Sequence, residues 1–151
     1  MIMSLRERLQ EDMKAAMRAR ESERLTTIRM LQAAIKQREV DERRTLEEAE
    51  ILSIVEKLIK QRKDSATQFR AGQRPDLADK EEAEIVMLTA YLPEPLSMEA
   101  LDALIAESIS QLEAAGPKDM GKVLNALRPQ LLGKADMALV ADKVKARLNN
   151  G

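Results

Sequence analysis

Along the first half of the chain, apolar residues recur at three- and four-residue intervals, the spacing that lines one face of an α-helix. Leu5, Leu9, Met13 and Met17 form one ridge, Leu25, Ile28, Leu31 and Ile35 a second, and Ile51, Val55, Leu58, Ile59, Ala66 and Phe69 a third. Ser4-Leu5-Arg6-Glu7 reads as a capping box that starts the first helix, and Thr45-Leu46-Glu47-Glu48 as one that starts the third. Between them the polar run Arg18 to Ser22 turns the chain, with Ser22 as the second cap, and Glu39 to Arg44 is charged apart from Val40. One unbroken helix over 4–71 would be ~100 Å long and could bury its stripe only against another chain. The apolar spacing sustains no heptad, so a folded bundle is expected instead.

Every Gly (72, 116, 121, 133, 151) and every Pro (75, 93, 95, 117, 129) falls after residue 71. The third helix should therefore end near Gly72. A fourth opens at Pro75 or Asp76, has Asp79 and Glu82 in its early turns, carries Ile85, Leu88 and Leu92, and stops at Pro93. Leu92-Pro93-Glu94-Pro95-Leu96-Ser97 is a stiff extended connector, which divides the chain into residues 1–95 and 96–151. Ser97 caps a helix with Met98, Leu101, Leu104, Ile105, Ile109 and Leu112 that ends at Gly116-Pro117. Asp119 starts a shorter one with Val123, Leu124 and Leu127, broken from Arg128-Pro129 through Gly133. Asp136 caps the last, with Met137, Val140, Val144 and Leu148. The fold class is all-α: a helical hairpin bundle, then a small three-helix domain of ~55 residues, marginal by itself and expected to pack partly against the first unit or a partner.

Composition narrows the chemistry. Cys and His are absent, which removes thiolate nucleophiles, disulfides, Cys/His zinc sites and imidazole acid/base catalysis. No Ser-x-x-Lys, nucleophile elbow or phosphate loop occurs. No catalytic residue, metal site or small-molecule cofactor is therefore expected. Most of the nine Met sit at helical spacing among Leu and Ile and are expected to fill the core. Glu47, Glu48 and Glu50, and likewise Glu81, Glu82 and Glu84, are read as first-turn acids favoured by the helix dipole. The amino terminus lacks an apolar leader and no run approaches the ~18 residues of a membrane span, so a cytoplasmic protein without membrane contact is expected.

The net charge of −1 conceals three blocks. Residues 1–74 are +4 (17 basic, 13 acidic), residues 75–116 are −9 (Lys80 against ten acids), and residues 117–151 are +4 (7 basic, 3 acidic). The late basic set is Lys118, Lys122, Arg128, Lys134, Lys143, Lys145 and Arg147. Lys118 and Lys122 flank a helix start, where free N–H groups favour a phosphate, and Lys143 and Arg147 lie four apart on one helix face. With only Phe69 and Tyr91 as aromatics, stacking on single-stranded bases is disfavoured. That leaves a folded RNA read by shape and backbone. The plain alternative is that a charged helix face is merely solvated.

Several stretches are familiar as a set: Leu9 to Met17, Arg24 to Lys36, Tyr91 to Ser97, Gly121-Lys122-Val123-Leu124 and Gly133-Lys134-Ala135-Asp136. In these the chain resembles the GatB/YqeY family over essentially its whole length. The resemblance implies a helical domain followed by a three-helix domain similar to ubiquitin-associated folds. It also implies likeness to the carboxy-terminal tail of the B subunit of the Glu-tRNA(Gln)/Asp-tRNA(Asn) amidotransferase, which contacts tRNA. Two departures stand out: Arg128-Pro129-Gln130 lengthens the inter-helix link, and Asp136 stands where that tail usually has Asn. The glutaminase and kinase-like centres of amidotransferase chemistry lie on domains with no counterpart here. The expected role is thus a non-catalytic accessory protein that binds tRNA or a tRNA-handling enzyme, through Lys118, Gly121, Lys122, Arg128, Lys134, Lys143, Lys145 and Arg147. A protein-protein adaptor without RNA contact is the alternative, and a component of a carbon-nitrogen ligase system, inactive alone, the third. The partner and oligomeric state are not legible.

Overall fold

The computed structural model describes residues 3–150, with the side chain of Asn150 outside the description. Seven α-helices and one 3₁₀ turn make up the described chain, which contains no strand. They are α1 (Leu5–Ala19), α2 (Ser22–Glu42), α3 (Glu48–Ala71), α4 (Pro75–Thr89), α5 (Met98–Gln111), α6 (Met120–Leu131) and α7 (Met137–Asn150), with the 3₁₀ turn at Pro117–Asp119. Two compact units divide between Leu92 and Pro93.

In the first unit α1 pairs with α2 and α3 with α4, and α2 also touches α3 and α4. The three predicted ridges become its core, where Leu9, Ile28, Leu31, Ile35, Ile51, Val55 and Ile59 are buried with Leu88 and Tyr91. Each such side chain withdrawn from water contributes ~1.5–3 kcal/mol. Met17 leaves the first ridge and is 50% exposed. The described methionines do not fill the core as expected. Met3, Met17 and Met98 are exposed, the remainder half-buried at its margin, and Leu, Ile and Val take the fully buried places.

Helix ends depart from the sequence reading in instructive ways. Ser4 Oγ accepts from Glu7 N–H at 3.2 Å, while the N–H of Leu5 donates to Glu48 Oε1 at 2.6 Å, so a carboxylate from α3 completes the cap of α1. The cap of α2 is Glu21, not Ser22, and that of α3 is Glu47, whose N–H donates to Glu50 Oε1 at 3.1 Å. Thr45 cannot play that part because its neighbour Leu46 is buried and held at both backbone atoms. Its N–H donates to Glu39 Oε2 at 2.8 Å and its carbonyl accepts from Arg6 Nη2 at 3.0 Å. The charged run after Glu39 does not break α2 at once. Long charged side chains are good helix formers, and Gln37–Asp41 and Arg38–Glu42 bond one turn apart at 2.9 and 2.6 Å. Glu81, Glu82 and Glu84 lie in the body of α4, not its first turn. Arg70 pairs with Glu82, and Arg62 with Glu84.

In the second unit Leu101, Ile105, Val123, Leu127, Leu131, Val140, Val144 and Leu148 form the core. Ser97 Oγ accepts from Ala100 N–H at 3.1 Å and starts α5. That helix stops before Gly116, because Glu113 adopts a left-handed φ of 53° and Ala114 N–H turns back to the Ile109 carbonyl at 3.0 Å. The expected break at Arg128-Pro129 is also displaced. α6 runs through Pro129 to Leu131, whose fully buried side chain holds the last turn in place. The chain turns at Gly133, with φ 75°, and Leu96 N–H donates to the Lys134 carbonyl at 3.0 Å. Asp136 Oδ1 then accepts from Ala138 N–H at the start of α7.

Candidate nucleic-acid interface

The basic residues of the second unit are positioned by the apolar face that each helix must bury. On α7, Val140, Val144 and Leu148 turn inward. At 100° per residue this leaves Lys143 and Arg147 on one flank and Lys145 about 200° round the axis from Lys143. On α6, Val123, Leu127 and Leu131 turn inward, leaving Lys122 opposite the core and Arg128 at its edge. Lys118 sits in the 3₁₀ turn, exposed Gly121 opens α6 with clear space where a Cβ would stand, and Lys134 occupies the exposed link to α7.

Three of these cations have internal partners. Lys143 Nζ reaches Asp102 Oδ1 of α5 at 2.8 Å and is only 26% exposed. Lys122 Nζ donates to the Leu112 carbonyl at 3.0 Å, satisfying a carbonyl at the end of α5, where a positive charge is favoured by the helix dipole. Arg128 Nη1 donates to Asn125 Oδ1 at 2.9 Å on its own helix. Lys118, Lys134, Lys145 and Arg147 are exposed and pair with no acid among the described residues.

The predicted Lys118–Lys122 phosphate cradle contains an acid of its own. Asp119 accepts from Ala115 N–H at 2.9 Å. That bond, then the Gly116 N–H, Lys122 and Lys118, hold its carboxyl below the ordinary carboxylate range. The anion therefore persists between the two lysines, and the cationic character of this helix start is reduced. Four-residue spacing had signalled shared faces, but it carries no information about acids arriving from another helix, as Asp102 does.

A second polar cluster escaped the sequence reading. Arg8, Asp12, Arg24 and Tyr91 of the first unit surround a cavity of ≈ 210 Å³ together with Ile28, Met87 and Ala90. Its one sequence signal was Tyr91, a lone tyrosine opening the Leu-Pro-Glu-Pro connector.

Comparison with known proteins gives a consistent family. A family profile described as "Yqey-like protein" matches residues 6–148. The chain is 38% identical over 112 residues to "Altered inheritance of mitochondria protein 41, mitochondrial" of Lachancea thermotolerans, covering 72% of this chain and 60% of that protein. It is 35% identical over 142 residues to the protein of the same name in Kluyveromyces lactis, covering 91% and 72% of the two chains, and 32% identical over 149 residues to that of Vanderwaltozyma polyspora, covering 94% and 80%. The cytoplasmic expectation does not stand against these mitochondrial names. Its premise was the lack of an apolar leader, whereas organelle-directing segments are amphipathic and rich in Arg and Ser. No helix among the described residues is long and apolar enough to cross a membrane. The profile over nearly the full chain, with these relatives, makes the chain a member of the YqeY-like protein family.

Proposed function

We propose that this chain is a non-catalytic accessory protein whose carboxy-terminal unit binds tRNA or a tRNA-handling enzyme. The family and its fungal relatives support the accessory role. The observation that carries the RNA reading is the set of exposed cations that form no ion pair among the described residues, Lys134, Lys145 and Arg147, with Lys118 beside the Asp119 anion. They stand on a small helical unit whose Gly121–Leu124 and Gly133–Asp136 segments resemble the amidotransferase tail. Recognition through such a set is electrostatic and sequence-tolerant. Lys122, Arg128 and Lys143 serve the fold of the unit first, through their carbonyl, amide and carboxylate partners.

Because Lys145 faces away from Arg147 on α7 and Lys118 sits beside Asp119, two or three phosphate contacts are expected, and these predict an affinity that falls roughly four- to six-fold for each doubling of salt. Labelled tRNA titrated at two salt concentrations tests this, with Lys134→Ala/Arg147→Ala beside the wild type. A salt-steep affinity weakened about ten-fold in the double variant supports the reading. Binding indifferent to salt or to the substitutions rejects it. An affinity purification in which a partner stays bound after nuclease treatment, with no tRNA binding by the purified chain, favours a protein-protein adaptor instead.

A further inference from the structure

We infer that the cavity between α1, α2 and the end of α4 binds a small organic anion, one oxyanion group carried on a short apolar body. This inference concerns the first unit and stands independently of the tRNA reading. Two guanidinium groups and one carboxylate line the cavity, the Glu21 carboxylate stands 3.6 Å from Arg24 outside that lining, and Ile28, Met87 and Ala90 supply an apolar side. Arg8 is fixed in two ways. Its guanidinium lies 4.8 Å from the centre of the Tyr91 ring, and its Nη2 donates to the Ala90 carbonyl at 2.7 Å. Stacking and that single bond leave its other N–H donors unused.

Arg24 is the less satisfied cation. Its approaches to Asp12 and Glu21 are 3.8 and 3.6 Å, too long for hydrogen bonds, and it makes no hydrogen bond among the described residues. Asp12 is meanwhile held by the Tyr91 hydroxyl, which donates to Oδ2 at 2.6 Å. One of its oxygens is thus taken by a neutral donor, and the other stands 3.8 Å from Arg24, outside hydrogen-bond distance. An arginine whose forked donors make two long ion pairs and no hydrogen bond, beside a cavity, matches the planar, bidentate geometry of a carboxylate or phosphate. Size restricts the ligand further. The ≈ 210 Å³ cavity lies below the ~300–1,000 Å³ of sites for drug-sized molecules, so it holds a headgroup and a few carbons, not a whole nucleotide.

Tyr91 is the only tyrosine and the chain has no tryptophan, so intrinsic emission reads the cavity directly in the unmodified protein. The probes are inorganic phosphate and butyrate, with butylammonium as the apolar body bearing the opposite charge, all at constant ionic strength. A saturable emission change with phosphate assigns a phosphoryl headgroup, one with butyrate a carboxylate, and either supports the site. Arg24→Gln should weaken the response at least ten-fold. Asp12→Asn keeps an acceptor for the tyrosine while removing the competing charge, and should tighten binding several-fold. Helicity and melting temperature of each variant separate a lost site from a lost fold. No saturation with either anion, an equal response to butylammonium, a response unchanged in a folded Arg24→Gln, or weaker binding by a folded Asp12→Asn would each overturn the inference.

Discussion

The hydroxyl of Tyr91 donates a 2.6 Å hydrogen bond to Oδ2 of Asp12, joining residues 79 positions apart and tying the segment after α4 to α1. Burial of the phenol, then the hydrogen bond to an anion, push its pKa upward from the ordinary value near 10. A raised folded pKa means that the folded state keeps its proton longer than the unfolded chain. This contribution to stability is complete below pH 10 and is lost as pH rises from there through the folded pKa. Absorbance titration of the single tyrosine should show ionisation above pH 10 in the native protein and near 10 in denaturant. Tyr91→Phe should cost about 1–3 kcal/mol at neutral pH, by leaving the carboxylate short of a donor, and should flatten the alkaline decline. A native titration midpoint at 10 contradicts this account.

The same logic with opposite sign applies at the junction of α2 and α3. Glu50 accepts from Arg44 Nη1 at 2.7 Å, from Glu47 N–H at 3.1 Å and from Arg38 Nη2 at 3.3 Å. Led by the Arg44 bond and then the Glu47 N–H, these hold its pKa down at about 2. A depressed folded pKa gives stability that is present above the ordinary carboxylate value of about 4.5 and lost as pH falls towards 2. Wild type should therefore lose stability across that interval. Glu50→Gln should begin less stable at pH 7 and decline less steeply, as followed by denaturant midpoints at stepped pH. Parallel declines in the two proteins would mean that the Glu50 cluster is solvated rather than structural.

The positions of the helix bodies were legible because apolar periodicity is a direct imprint of burial, and Leu5, Leu9, Ile28, Leu31, Val55 and Ile59 lie inward as their spacing requires. Several ends were not legible, since they are set by left-handed residues that are not glycine. Arg20, Arg43, Gln73 and Glu113 have φ between 53° and 60°, and nothing in the chemistry of Arg, Gln or Glu announces that conformation. Pro129 misled for the converse reason: burial of Leu131 outweighs the local preference to stop. The Arg8–Asp12–Arg24–Tyr91 cluster was invisible because Arg8 and Asp12, four apart on α1, meet Arg24 of α2 and Tyr91 after α4, and spacing along one helix says nothing of partners arriving from another.

Arg20 offers the cleanest test of these unadvertised helix ends. It has φ 58° at the end of α1, is exposed and makes no ion pair among the described residues, while Glu21 N–H closes the turn on the Ala16 carbonyl at 3.0 Å. A side chain in the left-handed region costs ~1–2 kcal/mol, which glycine avoids at the expense of some unfolded-state entropy. Arg20→Gly should therefore stabilise the protein by about 0.5–1 kcal/mol, and Arg20→Val should destabilise it by at least as much. Chemical denaturation of the two variants checks the sign of each change. Stabilisation by valine would show that the turn is not held left-handed in solution.

Asp102 separates the structural from the electrostatic role of the late lysines. It lies on α5, within the acidic central block of the sequence, and it holds Lys143 of α7 at 2.8 Å in a half-exposed pair. Such a pair contributes only ~0–1 kcal/mol, so its loss should leave the second unit folded. Asp102→Asn removes one negative charge and releases Lys143 to solvent beside Arg147, one turn further along the same face. If tRNA is held by this unit, affinity should rise and the log–log salt dependence should steepen by up to about one unit, the contribution of one further phosphate contact. Lys143→Gln made in the wild-type background should change binding little, because that lysine is already engaged, whereas in the Asp102→Asn background it should reverse the gain. A double-mutant cycle of tRNA affinity measures this coupling. Independent effects of the two substitutions would place the RNA-binding surface away from α7.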